Sequence, residues 1–284
     1  MIRTETLTMN RTATDPLDPA AIAAALGTRA RELEIEIIDA CASTNTLLLE
    51  RASGERPVLL AAELQSAGRG RRGRRWHSPR GAGLTFSISR RMPQPVSALS
   101  GLSLAAGVAV ARALRGVGAV EVALKWPNDL VARGAKLGGI LVETRIEDGH
   151  TRVVVGIGVN CRATPGLDAR LRRKIAALED LLDPLPERNV LVAQLAAGLL
   201  EALAAFAAHG VALLRDEWEA MHAHAGQRIR VRLADGRVLA GIAAGIAGDG
   251  ALQLRTRRGL QDIHSARIVT ARATNAPGAP RRMA

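Results

Sequence analysis

Two of the chain's three lysines sit in short runs whose composition points to chemistry at an anion. Lys125 opens Lys125-Trp126-Pro127-Asn128-Asp129, and Lys136 opens Lys136-Leu137-Gly138-Gly139-Ile140-Leu141-Val142-Glu143. Only 3 of the 39 basic residues are lysine. Where arginine is otherwise preferred, a lysine marks a place for a compact ammonium that a planar guanidinium cannot fill. Upstream, Gly68-Arg69-Gly70-Arg71-Arg72-Gly73 formally matches G-x-G-x-x-G. A dinucleotide site would also need a helix opening in the loop and an acid about 20 residues later. Here the loop runs on through Trp76, Pro79 and Gly81, and residues 88–95 contain no acid. No Gly-Lys-Ser/Thr follows, so it is not a Walker loop. Its physical content is different. The glycines let a ligand approach the backbone. Arg69, Arg71, Arg72, Arg74 and Arg75 offer paired donors to phosphate or carboxylate, and Trp76 offers a flat apolar face. The combination predicts a lid that takes a fixed conformation only over an anionic, partly apolar ligand. The same residues also suit a solvated basic loop or a nucleic-acid arm.

Strands and turns must position these runs. Asp18-Pro19 opens a short helix, with Pro in its first turn and Gly27 as a stop signal. Residues 33–39 alternate apolar and acidic side chains, which predicts a strand. Ser43 and Asn45 predict the start of a helix. Residues 57–63 read as a buried strand, 84–89 as an alternating strand, and 97–115 carry helical apolar spacing. Residues 120–126 return to strand, with Lys125 near the end. Two further strands, LGGILVETRI and TRVVVGIGVN, flank the turn Glu147-Asp148-Gly149 and predict a hairpin. Residues 189–223 are mostly helical. From Gly226 the texture changes: short strands joined by Asp235-Gly236 and Asp249-Gly250 predict a small antiparallel barrel. The expected organisation is a loose tail over 1–16, a large α+β domain over 17–223, a β module over 226–272 and a loose tail over 273–284. The mixed order of hairpins and helices argues against a regular βαβ ladder.

Composition excludes several classes. Hydrophobic residues make up 48% and charged residues 23%, the balance of a globular chain. With aromatics at 2%, Ala, Leu, Val and Ile must fill the core. The net charge of +12 suits nucleic acid, an anionic surface or an acidic ligand, but the arginines are spread along the whole chain, as in a compositional bias. Cys41 and Cys161 have no metal or disulfide spacing. His222 and His224 read as an exposed pair, and no resident metal site is expected. The first ten residues have no apolar signal core, and the Ala-rich stretch 190–214 contains Gln194, Glu201 and His209. No membrane association is expected, and the reducing cytoplasm is the expected location.

Taken together with Ser43-Thr44-Asn45, Gln65 and Gly156-Ile157-Gly158-Val159-Asn160, these runs resemble the biotin–protein ligase family. That family's pattern is Ser-Thr-Asn, a Gln followed by G-R-G-R-x-G-R-x-W, then K-W-P-N-D, K-x-x-G-I-L-x-E and G-x-G-x-N. All occur here in order, over roughly residues 17–270. The resemblance implies a mixed sheet with helices, of the class II aminoacyl-tRNA synthetase and biotin ligase type, plus a small C-terminal SH3-like β-barrel. It implies ATP-dependent conversion of biotin to biotinyl-5'-AMP, with magnesium, followed by transfer to one lysine of a biotin carboxyl carrier protein of acetyl-CoA carboxylase. It places Ser43, Thr44, Asn45, Gln65, Arg69, Gly70, Arg71 and Lys136 at biotin, and Arg74, Trp76, Lys125 and Asn160 at ATP. Lys136, Lys125, Arg71 and Asp129 form the implied catalytic group, with Asp129 near magnesium or the incoming amine. Trp126, Pro127 and the glycines of the motifs also suit a purely structural part, Asn160 equally suits a strand-end cap, and Glu143 a paired strand position. One departure stands out: the family often has a Ser-Gly-Glu/Asp turn near the nucleotide, where this chain has Ser265-Ala266-Arg267. The resemblance is to the monofunctional type without an N-terminal DNA-binding domain, so no specific DNA partner is expected. A lipoate or octanoyl ligase-type relative, and a basic nucleic-acid-binding protein, remain the alternatives. The sequence leaves the oligomeric state open between monomer and homodimer.

Overall fold

The computed structural model describes residues 15–51, 54–147 and 149–272. Most of the two expected tails, and Asp148 of the expected hairpin turn, lie outside the described residues. Asp15, expected in the loose tail, is held: the Arg188 backbone N–H donates to its carboxylate at 2.6 Å, and the Arg188 side chain donates to its carbonyl.

The chain runs through α1 (Pro19–Leu26), β1 (Glu34–Cys41), α2 (Thr44–Glu50), β2 (Val58–Gln65), β3 (Gly83–Met92), α3 (Leu102–Gly116), β4 (Ala123–Lys125), β5 (Asp129–Ala132), β6 (Ala135–Glu147) and β7 (His150–Asn160). It continues with α4 (Leu167–Leu171), α5 (Arg188–His209), α6 (Arg215–Ala220), β8 (Arg228–Leu233), β9 (Val238–Ile246), β10 (Leu252–Thr256), β11 (Gly259–Ile263) and β12 (Ala266–Arg272). Asp18 caps α1, accepting from the Ala21 N–H at 2.8 Å, with Pro19 in the first turn as its fixed φ favours. Ser43 caps α2. The expected strand over 120–126 shrinks to Ala123–Lys125, because Ala119–Val122 form a tight turn after α3.

Strands β1 to β7 form one mixed sheet in the order β1-β2-β3-β7-β6-β5-β4. The pair β1 and β2 is parallel, and the remaining neighbours are antiparallel. Period-2 alternation splits its side chains between two faces. Leu59, Ala61, Phe86, Ile88, Val153, Val155 and Ile157 join the main core with α1, α3 and α5. On the other face Val58, Leu60 and Val154 pack against Leu48 of α2. Helices α3 and α5 belong to the two stretches among the described residues that are long and apolar enough to cross a membrane, yet more than half of each stretch is buried inside the molecule, and the two helices pack on each other as core elements.

The C-terminal strands do not make the expected barrel. They form an open sheet ordered β11-β10-β9-β8-β12, with β11 and β12 as edges that do not pair with each other. Closure into a barrel would require those edges to meet. The physical reason lies in what covers the sheet's apolar side. Ile229, Val231, Ala243, Ile246, Leu252, Leu254 and Ile268 belong to the same continuous core as the large sheet's helices. Gly250 approaches Gly101 and Leu104, and the Trp126 indole N–H donates to the Gly250 carbonyl at 3.1 Å. The sheet therefore buries its apolar face against the rest of the protein without curling on itself.

Candidate active site

Strand register assembles the site. Residues paired across neighbouring strands point to the same face. Thr85 pairs with Gly158 and Ser87 with Gly156 on one side of β7; Gly139 pairs with Gly158, Leu141 with Gly156 and Glu143 with Val154 on the other. All lie on the α2 face, as do Asp129, paired with Gly139, and Lys125, paired with Asp129. Gly156 and Gly158 form the floor. A Cβ at Gly158 would meet the Trp76 indole at 2.5 Å, and one at Gly156 would overlap the Asn45 amide oxygen. Above them lies a cavity of about 320 Å³, lined in part by Ser43, Thr44, Asn45, Gln65, Arg69, Gly70, Arg71, Arg74, Trp76, Asp129 and Lys136.

Lys136 reaches this cavity through a β-bulge. In an unbroken pleat, Gly139 facing the cavity would place Leu137 there too and turn Lys136 toward the core. The pairing of β5 with β6 instead slips between Leu130 and Val131, so that Val131 pairs with Lys136 and Leu130 with Gly138. Leu137 goes fully into the core, and Lys136 is re-aimed at the cavity, where its ammonium forms an ion pair with Asp129.

One wall is neutral and hydrogen-bonding. The Gln65 side-chain oxygen accepts from the Thr44 N–H at 2.7 Å and from its hydroxyl at 3.1 Å. The Thr44 and Ser87 hydroxyls lie 2.6 Å apart, and Ser87 donates to the Asn45 amide oxygen at 2.6 Å. The Asn45 amide donates to Glu143 at 2.9 Å, and Glu143 also holds Arg69 in an ion pair. Thr44, Asn45 and Ser87 are buried. Ser43, by contrast, spends its hydroxyl oxygen on the cap of α2.

The opposite wall is cationic around a single carboxylate. Burial pushes the Lys136 ammonium below the ordinary lysine range, against the opposing charge and hydrogen bond of Asp129. Lys125 is lowered by burial and then by Arg267, Arg74 and Arg173, again opposed by Asp129. Arg71 is lowered by burial and by Arg72 and Arg74, and Arg173 by burial and by Arg74 and Arg267. Asp129 is the one carboxylate in the lining of this cavity among the described residues. Positive charge is therefore in excess at this wall, which suits an anionic ligand. Lys125 lines a second, larger cavity of about 1000 Å³ that adjoins the first through Arg71, Arg74, Asn128, Asp129, Lys136, Arg173 and Arg267.

The glycine–arginine loop is a small hairpin, more defined than its composition predicts. Gly70 donates to the Arg74 carbonyl at 2.7 Å and Trp76 to Gly68 at 2.9 Å, with Arg72 (φ 57°) and Gly73 (φ 70°) left-handed at the tip. Two side chains tie it down: Arg69 to Glu143, and Arg72 to the Ser265 hydroxyl of the C-terminal sheet at 2.8 Å. The Trp76 indole nitrogen is buried without a partner.

Asn160, expected at ATP, lies outside both cavity linings; its amide donates to the Ala176 carbonyl at 3.0 Å and ties the 174–177 segment to the end of β7. His222 and His224 are not an exposed pair. His222 is buried and stacks on Trp218 with ring centroids 4.4 Å apart; burial pushes it down to about 3 and His224 to about 4. Ser87, Arg173 and Arg267 were not among the expected site residues. Ser87 and Arg173 carry no local signal in a chain this rich in small residues and arginine, whereas Arg267 was visible only as a departure from a family pattern.

The residues do not build a magnesium cage. No group of three or more His, Cys, Asp or Glu able to hold a metal occurs among the described residues, and Asp129 is already paired with Lys136.

Comparison with known proteins bears on this site. Residues 38–160 match the biotin/lipoate A/B protein ligase family, and residues 224–270 match the biotin protein ligase C-terminal domain. The bifunctional ligase/repressor BirA of Escherichia coli is 36% identical over 225 residues, covering 78% of this chain and 68% of that protein. The biotin–[acetyl-CoA-carboxylase] ligase of Mycobacterium tuberculosis is 36% identical over 228 residues, covering 78% of this chain and 83% of that protein. Among solved structures, the biotin protein ligase of Aquifex aeolicus in complex with biotin and ATP superposes with a TM-score of 0.72 at 25% identity, covering 85% of this chain and 99% of that one.

Proposed function

The chain belongs to the biotin protein ligase family, and we propose that the cavity on the α2 face carries out both halves of its reaction: activation of biotin by ATP, then transfer of biotin to a lysine of a carrier protein. The observation that carries the assignment of residues is the polarity of the cavity. A neutral wall of Ser43, Thr44, Asn45 and Gln65, with Ser87 holding Thr44 and Asn45 from behind, faces a cationic wall of Arg71, Arg74 and Lys136 around Asp129, and Lys125 adds its charge from the adjoining cavity. Biotin has the same division, with a neutral ureido ring at one end and a carboxylate at the other. Unpaired ring polar atoms would cost about 1–3 kcal/mol each in a buried site, so donors and acceptors on that wall are what selects the ring.

In the first step a biotin carboxylate oxygen bonds to the α-phosphorus, and the bond from that phosphorus to the bridging oxygen breaks, its electron pair leaving with pyrophosphate. Lys136 exchanges Asp129 for the reacting carboxylate, and Arg71, Arg74 and Lys125 stabilise charge on the phosphate oxygens. Trp76 covers the nucleotide side of the site, with the loop over Gly158 excluding water. ATP enters as its magnesium complex, since magnesium is held in such sites chiefly by phosphates and water. In the second step the carrier lysine's neutral amine bonds to the adenylate carbonyl carbon, the bond from that carbon to the phosphate oxygen breaks with its electron pair leaving on AMP, and the amine's proton passes to solvent; Asp129 orients that amine. We take the carrier to be a biotin carboxyl carrier domain in the cytoplasm, and the basic charge to serve anionic substrates in place of a DNA operator. We keep residues 17–223 and 226–272 as the functional division of the chain.

The test is incubation of the chain with biotin, MgATP and a carrier domain, read by intact mass. A single biotinyl addition on one lysine is expected. Transfer of lipoate with no biotinyl addition would overturn the substrate assignment.

A further inference from the structure

Arg173 and Arg267 take no part in the steps above, yet both border the two cavities where they join. Each is held there by its own element. The segment after α4 docks beside Lys136: the Lys136 N–H donates to the Lys174 carbonyl at 3.0 Å, and the Ala176 N–H donates to the Lys136 carbonyl at 2.9 Å. Arg173 is thereby fixed next to the reacting centre, with its side-chain Nε buried and without a partner. Arg267 comes from the other part of the molecule, at the start of β12, directly opposite Arg232 of β8. Like charges facing across a strand pair are destabilising. Both border the larger cavity, so this unfavourable pairing concentrates positive charge at its wall. Electrostatically, Arg173 and Arg267 lower each other's neighbours: both depress Lys125, and Arg267 depresses Arg173. Among the described residues, no carboxylate other than Asp129 is shared between the two cavities.

We propose that Arg173 and Arg267 form the subsite that receives the leaving pyrophosphate. This rests on the reading of the cavity as a biotin-adenylating site. With the α-phosphorus beside Lys136, the rest of the triphosphate extends toward the junction of the two cavities, where these guanidiniums stand. When the bond between the α-phosphorus and the bridging oxygen breaks, the departing electron pair adds negative charge to pyrophosphate, and no proton need move. Two planar guanidiniums offer it paired donors. Because Arg267 is supplied by the C-terminal sheet, that sheet completes the site for the first half-reaction and not for the second.

The experiment uses the full chain as wild type, Arg173→Ala, Arg267→Ala and Arg267→Lys, with inorganic pyrophosphate as the probe. Inhibition of adenylation by pyrophosphate, KM for ATP, biotin affinity without ATP, and transfer from pre-formed biotinyl adenylate to carrier are each measured. In both alanine variants pyrophosphate inhibition should weaken by about tenfold and KM for ATP should rise by a similar factor, as expected for one lost charge-assisted contact. Biotin affinity and transfer from adenylate should stay within about twofold, and Arg267→Lys should recover part of the loss. Arg267 is exposed on its strand, so its variants test the subsite even if Arg173→Ala unfolds. Unchanged pyrophosphate inhibition in Arg267→Ala, or an equal loss in adenylate transfer, would overturn the proposal. Should the wild type bind pyrophosphate through these arginines yet form no adenylate from biotin, the adenylation reading fails and the anion subsite stands.

Discussion

Gly158→Ala tests how the loop closes. The new Cβ would lie 2.5, 2.7 and 2.8 Å from Cε2, Cζ2 and Nε1 of Trp76. Ordinary carbon contacts are about 3.5–4.0 Å, so the indole must lift by roughly 1 Å. The floor cannot yield instead, because β7 is paired through Gly158 to Thr85 on one side and Gly139 on the other. The strain falls on the Trp76 ring and the hairpin that carries it. Overpacking of this kind costs about 1–3 kcal/mol. The hairpin lies on the surface and can relieve the strain by lifting off Gly158, so the core folds nearly untouched, whereas closure over a ligand must restore the clash. Alanine in a strand even recovers about 0.5–1 kcal/mol of glycine's entropic cost. KM for ATP in a pyrophosphate-release assay should therefore rise by about tenfold, equivalent to about 1.4 kcal/mol, with the thermal midpoint within a few degrees of wild type. An unchanged KM would mean that Trp76 does not pack on this floor during turnover. A large fall in the midpoint with normal KM would place the clash in the core and refute the reasoning.

Lys136→Arg keeps the charge but puts a planar fork where the bulge aims a point charge at Asp129; adenylation should fall at least tenfold, about 1.4 kcal/mol in the barrier, and near-normal pyrophosphate release would remove Lys136 from the reacting centre. Burial lowers the ammonium of Lys136, so activity that needs it charged should be lost on the alkaline side below the usual lysine value of 10.5. Bound biotin carboxylate favours the charged form, so the limb in kcat should lie above the limb in kcat/KM for biotin; coincident limbs would count against the contact. His222 is held neutral, with a folded value of about 3 against 6.5, so the unfolded chain binds more protons between those values and stability falls as pH drops below 6.5. At pH 5 the loss from this group is about 2 kcal/mol, and His222→Phe, which keeps a ring on Trp218, should shrink the fall in thermal midpoint between pH 7 and 5; an unchanged fall would assign the acid sensitivity elsewhere.

Much of the secondary structure was legible because it is written locally. Asp18-Pro19 and Ser43 specify caps through partners three residues away, and the alternation in LTFSIS marks a strand by its own spacing; each appears where its chemistry demands. The residue types that line the cavity were legible for the same reason: lysine amid arginine, and neutral hydrogen-bonding groups upstream. The strand over 120–126 was overestimated because β-type residues do not reveal that the chain turns at Ala119–Val122. His222 and His224 seemed exposed because burial is a property of the fold, here the packing on Trp218, and not of a two-residue spacing.

By itself, then, the sequence determined the family motifs, whose residues come to line the cavity, and their order along the chain, because motif residues and caps are written over a few bonds. Where those groups point was decided only by long-range pairing. The slip between β5 and β6 turns Lys136 to the cavity and Leu137 to the core, and no local pattern encodes a register set by another strand. The same holds for the C-terminal strands. Their alternation specifies a sheet with one apolar face, but whether that face closes on itself or is covered by something else depends on what lies against it. Here Trp126 and the shared core cover it, the sheet stays open, and Arg267 on its edge strand comes to stand beside Arg173 and Lys125, residues far from it in the chain.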